Sequence, residues 1–320
     1  MNKKPILVVS GEPNSIFFEI FFKSLISNKF KCPIIVIGSN KIFKFHMKKL
    51  KYNFKINLLD INKLTHKNLN NNEINLININ YNFPIKFNKI SSDSKKYIDE
   101  CFSCAFHLIK KKITNKLING PISKKFFLRK KYLGVTEYIA KHFNKKNYAM
   151  LIYNKNISVC PITTHLPLKY VVKNIKKETI IKKIEIINLF YKKFLKKKPK
   201  FAVTGLNPHC ESVSSYNEDD KIVVPSIKKL KKKGINIRGP FSADTLFLKN
   251  NRSKYDVIVG MYHDQVLTPI KTLFEFDAIN ITLGLPFLRV SPDHGPNEKM
   301  VGKNLSDPLS LIRSLKFLDN

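Results

Sequence analysis

Cysteine is too scarce, and odd in number, for a disulfide framework: the 320 residues hold five. Cys101 and Cys104 form a CxxC, but no second CxxC accompanies it. The surrounding YIDECFSCAFHLI has helical apolar spacing, so the pair reads as small buried helix residues rather than a zinc or redox site. Long apolar runs are missing too. None could span a bilayer, and Met1 to Val9 lead straight into a strand without an apolar signal segment. A cytoplasmic protein without a membrane partner is expected. Glycine is sparse where a nucleotide fold would want it: no GxGxxG follows the first strand, and GEPNSIFFE carries one glycine. A standard Rossmann dinucleotide site is therefore not supported. Arginine is scarce, and no aromatic stacking platform is interleaved with the basic residues.

What is abundant is lysine. The formal net charge is +35, with Lys, Asn, Ile and Phe enriched together and lysines spread along the whole chain. Codons rich in A and T encode these residues, so biased base composition accounts for the charge more simply than a dedicated nucleic-acid surface. Weak, salt-sensitive polyanion binding is expected, and the basic field would attract a phosphorylated or carboxylated substrate.

The length suits two domains or one large one. PILVVS and CPIIVIGS read as strands, and Phe17 to Ile26 and Ser91 to Lys112 as helices. ETIIKKIEIINLFYKKFL has helical spacing, and Gly234 is a helix stop. AINITLGLPFLRV reads as one strand with a Gly-Pro exit, and residues 51–90 as peripheral strands and loops. No internal repeat is visible. The strand–helix alternation predicts an α/β fold with parallel sheets and helices on both faces.

Three histidines end similar segments: His165 closes ISVCPITTH, His209 closes FAVTGLNPH and His263 closes YDVIVGMYH. Each segment is a short β-branched run that breaks into a turn. Loops after the carboxyl ends of parallel strands converge on one crevice. Three neutral imidazoles there make a divalent-metal site with a position open for substrate. The intervals of 44 and 54 residues fit no local zinc finger, so only the fold could assemble the set. Asp244 in GPFSADTLF and Asp264 after His263 could ligate a metal or orient an imidazole, and Asp244 could equally be a helix N-cap. Lys271 follows the His263 loop, and Asn280 and Arg289 flank INITLGLPFL. Arg289, one of five arginines, offers a planar fork for carboxylate or phosphate. Asp293 and His294 lie beyond it. His46, His66, His107 and His142 are assigned no role. A metal-dependent hydrolase using the same histidines, with Glu211 or Asp264 as base, is an alternative.

SGEP, NGPISK, GVTEY, TTHLPL, GLNPHCE, GPFSADTLF, MYHDQ, NITLGLPFLR and DHG occur in an order that resembles the PdxA family, the 4-hydroxythreonine-4-phosphate dehydrogenases of vitamin B6 synthesis. The likeness runs from residue 6 to about 302, thinly over 40–90 and densely over 160–295. It implies two α/β/α domains resembling isocitrate and isopropylmalate dehydrogenases, with an inter-domain cleft. The expected division is 1–125 with 270–320, and 126–269 carrying the histidines and dimer contacts. It further implies a homodimer whose active sites draw on both subunits. A metal ion (zinc, cobalt or magnesium) would lie on His165, His209 and His263. A small phosphorylated substrate would lie on Thr136, Lys271, Asn280 and Arg289, with Lys271 and Asp244 in catalytic roles. NAD or NADP would bind at Asp293, His294 and Gly295. The implied reaction is oxidation and decarboxylation of 4-phosphooxy-L-threonine, or dehydrogenation of a related acid phosphate such as erythronate 4-phosphate.

The chain departs from that pattern in four places. Val135 replaces a histidine that would touch substrate, which removes a polar contact. Asn14, Ser15, Phe17 and Phe18 replace small residues of the first loop. Pro296 to Lys299 replace a Thr-Ala pair and small residues after Asp293-His294-Gly295. Val213 to Asn217 stand where glycines are usual.

Overall fold

Short β-branched runs and longer amphipathic segments alternate through the computed structural model, which describes residues 3–84, 89–128, 131–211 and 216–320. The first part runs β1 (Ile6–Val9), α1 (Phe17–Ser27), β2 (Ile34–Gly38), α2 (Asn40–Leu50), β3 (Ile56–Leu58), β4 (Ile74–Asn78), α3 (Ser94–Lys110), β5 (Lys116–Asn119) and α4 (Val135–His142). The middle continues with β6 (Ala149–Tyr153), β7 (Ser158–Pro161), α5 (Leu168–Asn174), α6 (Lys177–Lys193), β8 (Phe201–Thr204), α7 (Val224–Lys232) and β9 (Ile237–Phe241). Then come α8 (Ala243–Leu246), α9 (Lys249–Arg252), β10 (Val257–Gly260), α10 (His263–Phe274), β11 (Ile279–Leu283), β12 (Leu288–Pro292) and α11 (Leu309–Asp319).

Two compact units result, residues 1–139 with 286–320, and residues 140–285. The sequence reading places the crossings nearer 125 and 270. Packing accounts for the difference. Tyr138 of α4 sets its ring 5.4 Å from Phe102 and 5.2 Å from Phe127, which ties the first half of α4, up to residue 139, to the first unit. Leu267 and Ile270 of α10, with Ala278, join a buried cluster with Ile152, Val159 and Ile258, which keeps α10 and β11 in the second.

The first unit's sheet has the order β3-β4-β2-β1-β5-β12 with every pairing parallel. β1 and β2 are buried along their whole length, as strands covered on both faces must be. Helix α1 adds a stacked aromatic core: Phe17, Phe18, Phe21 and Phe22 are buried, and Phe18 meets Phe43 edge-on at 5.0 Å. Gly11, at φ 75°, turns the chain after β1, and a Cβ there would collide with the carbonyl oxygen of Pro121. Gly11→Ala should cost about 2 kcal/mol through this clash and the left-handed backbone. A melting curve that does not move would refute that.

In the second unit the order is β11-β6-β7-β10-β8-β9. β7, β10, β8 and β9 run parallel, while β6 is antiparallel to both β7 and β11. The expectation of purely parallel sheets is thus corrected here, because AMLIY forms a strand that the sequence reading passes over. Helix α6 buries Ile180, Ile184, Ile187 and Tyr191 at the predicted period, and the Tyr191 hydroxyl donates to Ser158 Oγ at 2.9 Å. AINITLGLPFLRV is two strands rather than one, β11 and β12, in different units. Gly284 at φ 92° breaks the run, and Pro286 offers no amide hydrogen to a ladder. Among the described residues no helix is long and apolar enough to cross a membrane.

Candidate functional site

Strand β10 lies between β7 and β8, parallel to both, with Gly260 opposite Pro161 and Val259 opposite Val203. The three histidine-bearing loops therefore leave one edge of the sheet side by side. His165 follows β7 by four residues, His209 follows β8 within a turn at Pro208–Cys210, and His263 opens helix α10. The imidazoles of His165 and His263 come together, with ring centroids 5.5 Å apart and planes inclined by 37°. His209 is exposed on the neighbouring strand end. Among the described residues no three or more His, Cys, Asp or Glu side chains are gathered closely enough to hold a metal ion. Two of the three expected ligands are thus paired, and the third does not join them in this conformation.

His165 and His209 hold left-handed backbone, at φ 44° and 55°. Such angles are uncommon outside glycine and gather at functional sites. His263 Nδ1 lies 2.6 Å from Asp264 Oδ1. With a neutral ring the nitrogen donates to the carboxylate, which fixes the tautomer and leaves the Nε2 lone pair available.

Two supports of these loops carry no sequence signal. Asp219, buried, accepts from the backbone N–H of Leu206 at 2.7 Å and of Asn207 at 3.1 Å, and so fixes the GLNPH turn. Lys183 of α6 donates to the carbonyl oxygens of Pro161 at 3.3 Å and Ile162 at 2.9 Å, just before His165.

Of the other expected residues of this unit, Lys271 is half-buried two turns along α10 from His263. Asn280, on β11, has a buried Oδ1 with no hydrogen-bond partner among the described residues. Asp244 is exposed in α8 and accepts the Thr245 N–H at 2.9 Å. It is not the N-cap, since the helix begins at Ala243 after Ser242. Residues 213–215 of the departing segment 213–217 lie outside the described residues.

In the first unit, the structure brings Arg289 and Thr136 into contact. Arg289 is 3% exposed, and its Nε donates to Asn119 Oδ1 at 2.8 Å while Nη1 donates to Thr136 Oγ1 at 3.2 Å. Burial lowers the guanidinium pKa to about 10, against the favourable charge of Glu137, so it stays cationic at neutral pH. Val135 is half-buried at the first position of α4. Asp293, His294 and Gly295 follow β12; the Asp293 N–H donates to Ser310 Oγ at 2.9 Å. Gly295 has neither a left-handed φ nor a crowded Cβ position, so the space beside it is open.

The first loop also explains two departures from the family pattern. Phe17 and Phe18 begin α1 and face the core instead of crowding the loop. His46, given no role from sequence, is buried, stacks on Phe18 at 4.2 Å and donates from Nε2 to the Pro13 carbonyl at 2.9 Å. Desolvation lowers its pKa to about 4, so it is neutral. The CxxC is structural, as expected: Cys101 and Cys104 lie in α3 as free thiols, and burial raises both pKa values.

Glu12 is buried in the same loop. It accepts from the Ser94 hydroxyl at 2.6 Å and the Ser123 N–H at 3.2 Å. Burial raises its pKa from 4.5 to about 7; those hydrogen bonds oppose the rise and Glu298 adds to it. The folded chain therefore holds this proton more tightly than the unfolded chain. The stability Glu12 contributes is complete below pH 4.5 and is lost as pH rises through about 7. Glu12→Gln should leave stability nearly unchanged near about pH 4 and raise it by about 3 kcal/mol near about pH 8. Equal effects at both pH values, by chemical denaturation, would contradict this.

Residues 30–318 match the family described as Pyridoxal phosphate biosynthetic protein PdxA. A relative named 4-hydroxythreonine-4-phosphate dehydrogenase, from Sulfurihydrogenibium sp., is 38% identical over 98% of this chain and 96% of its own. One named D-threonate 4-phosphate dehydrogenase, from Pectobacterium atrosepticum, is 36% identical over 58% of this chain and 57% of its own. The crystal structure of 4-hydroxythreonine-4-phosphate dehydrogenase from Klebsiella pneumoniae is 26% identical, with a TM-score of 0.84 over 99% of this chain and 98% of that one. With the mixed α/β fold shared and a relative aligned almost end to end, the chain belongs to the PdxA family and is an oxidoreductase.

Proposed function

We propose that the chain carries out NAD(P)-dependent, metal-assisted oxidation and decarboxylation of 4-phosphooxy-L-threonine. The product is 3-amino-2-oxopropyl phosphate, an intermediate of pyridoxal 5'-phosphate biosynthesis. The observation that carries this reading is the pairing of His165 with His263, on loops from adjacent parallel strands, with Asp264 on one imidazole.

The donor set fits a metal in kind: imidazoles, one with its tautomer fixed by a carboxylate and two on left-handed backbone. Bound by His165, His209 and His263, a divalent ion (zinc, cobalt or magnesium) would acidify a substrate hydroxyl and carry the charge that develops on loss of carbon dioxide, with NAD or NADP taking the hydride. Arg289, desolvated and cationic, receives an anionic end of the substrate with the Thr136 hydroxyl beside it. Asn280 turns its partnerless Oδ1 to a substrate donor. Lys271 binds phosphate or passes a proton, and Asp244, an exposed carboxylate, serves as a second acid–base group. The open space beside Gly295 lets the dinucleotide approach the Asp293–His294–Gly295 backbone. We read the molecule as a cytoplasmic homodimer; Leu168 and Val172, one turn apart on α5 and exposed just after His165, offer a second copy an apolar contact.

Purified, metal-loaded protein given 4-phosphooxy-L-threonine with NAD or NADP should generate reduced nicotinamide absorbance. Turnover only with D-threonate or erythronate 4-phosphate would favour the second reading, a dehydrogenase of another four-carbon acid phosphate, which the Pectobacterium relative supports. Phosphate release without dinucleotide binding would point instead to a hydrolase with Glu211 or Asp264 as base.

A further inference from the structure

Gln265 occupies the third position of α10, two residues after His263, and its side chain turns back over the strand ends. Its Oε1 accepts from the Met261 N–H at 2.7 Å and from the Thr204 hydroxyl at 2.8 Å, and its Nε2 donates to the Gly205 carbonyl at 2.7 Å. The amide orientation follows from the partners, because a backbone N–H only donates and a carbonyl only accepts. One amide therefore ties the end of β8, which leads to His209, to the end of β10, which leads to His263.

The third loop is tied to the same residue, Met261. The Met261 carbonyl accepts from the Thr163 N–H at 3.1 Å and the Thr163 hydroxyl at 2.8 Å, two residues before His165. Gly260 leaves the room required, since a Cβ there would lie 3.1 Å from Gln265 Oε1 and closer still to Val266. A glutamine at this position serving only to cap its helix would accept from the N–H of Tyr262, the N-cap residue. The further bonds to Thr204 and Gly205 reach across to another strand.

We propose that Gln265 is the positioning residue of the three-histidine set: its amide sets the spacing of the His165, His209 and His263 loops and so the affinity and geometry of the ion they share. This rests on the metal reading of those histidines. Gln265→Met keeps the length of the side chain and removes all three hydrogen bonds.

The test is titration of the metal-free full chain with Co(II), following both affinity and the visible d–d spectrum. Cobalt binding by the unaltered chain with weakening of about 10- to 100-fold in Gln265→Met, and a changed spectrum, is the expected result. Equal affinity and an identical spectrum in the variant would overturn the positioning role while leaving the metal reading intact. No cobalt binding by the unaltered chain would overturn the metal reading itself and the proposal with it. If Gln265→Met fails to fold, Thr204→Val, which removes one of the three bonds, should still weaken cobalt binding and alter its spectrum. An unaltered isotherm and spectrum in that variant would count against the proposal.

Discussion

Replacing His263 with alanine is expected to lower kcat/KM by about three orders of magnitude, since the proposed function makes it a metal ligand and loss of one forfeits several kcal/mol of charge stabilisation. Folding should hardly notice. His263 is half-buried in the first turn of α10, and its side-chain partner, Asp264, is exposed. Removal of the ring therefore leaves no buried charge, and the melting temperature should change by the equivalent of about 0.5 kcal/mol or less. Activity within about tenfold of the original, with folding intact, would remove His263 from the ligand set.

The second large effect is at Arg289. Arg289→Met takes away a desolvated cation and leaves Asn119 Oδ1 and Thr136 Oγ1 without this donor. A drop in kcat/KM of about 10²- to 10³-fold is expected from loss of the proposed charge-assisted contact to substrate, alongside about 1–3 kcal/mol of stability from the two abandoned acceptors. Arg289→Lys should recover only part of either loss, because an ammonium is a point donor and cannot serve two acceptors along a planar fork. Kinetics and thermal melts on both variants separate the two contributions. If lysine restores full activity, the fork has no role in recognition.

The parts legible from sequence were those set by local pattern. The β-branched runs of β1, β2, β7, β8 and β10 and the period of α6 are continuous signals, and each formed the element expected of it. The three histidine loops were legible for the same reason, as each strand and its turn sit within one short segment. What stayed hidden depends on partners distant in the chain. Asp219 acts on Leu206 and Asn207, and Lys183 on Pro161 and Ile162, and neither spacing is periodic. The expected single strand failed at Gly284 because a glycine in a strand run is read equally well as a bulge or as an end.

Read along the sequence, the altered first loop and the altered residues 296–299 are separate losses. In the fold they touch: the Ile16 N–H donates to the Pro296 carbonyl at 3.1 Å, and Glu298 accepts the Ile90 N–H at 3.1 Å while contributing charge at Glu12. Changes in one segment are therefore physically coupled to changes in the other. Nothing in the structure explains Val135.

Zinc-edge X-ray absorption on the zinc-loaded chain reads directly which atoms hold the ion. The account predicts a first shell containing three imidazole nitrogens, reduced by one in His209→Ala, whose ring stands apart from the His165–His263 pair in the present conformation. Zinc bound without imidazole, or a shell that His209→Ala leaves unchanged, would contradict it.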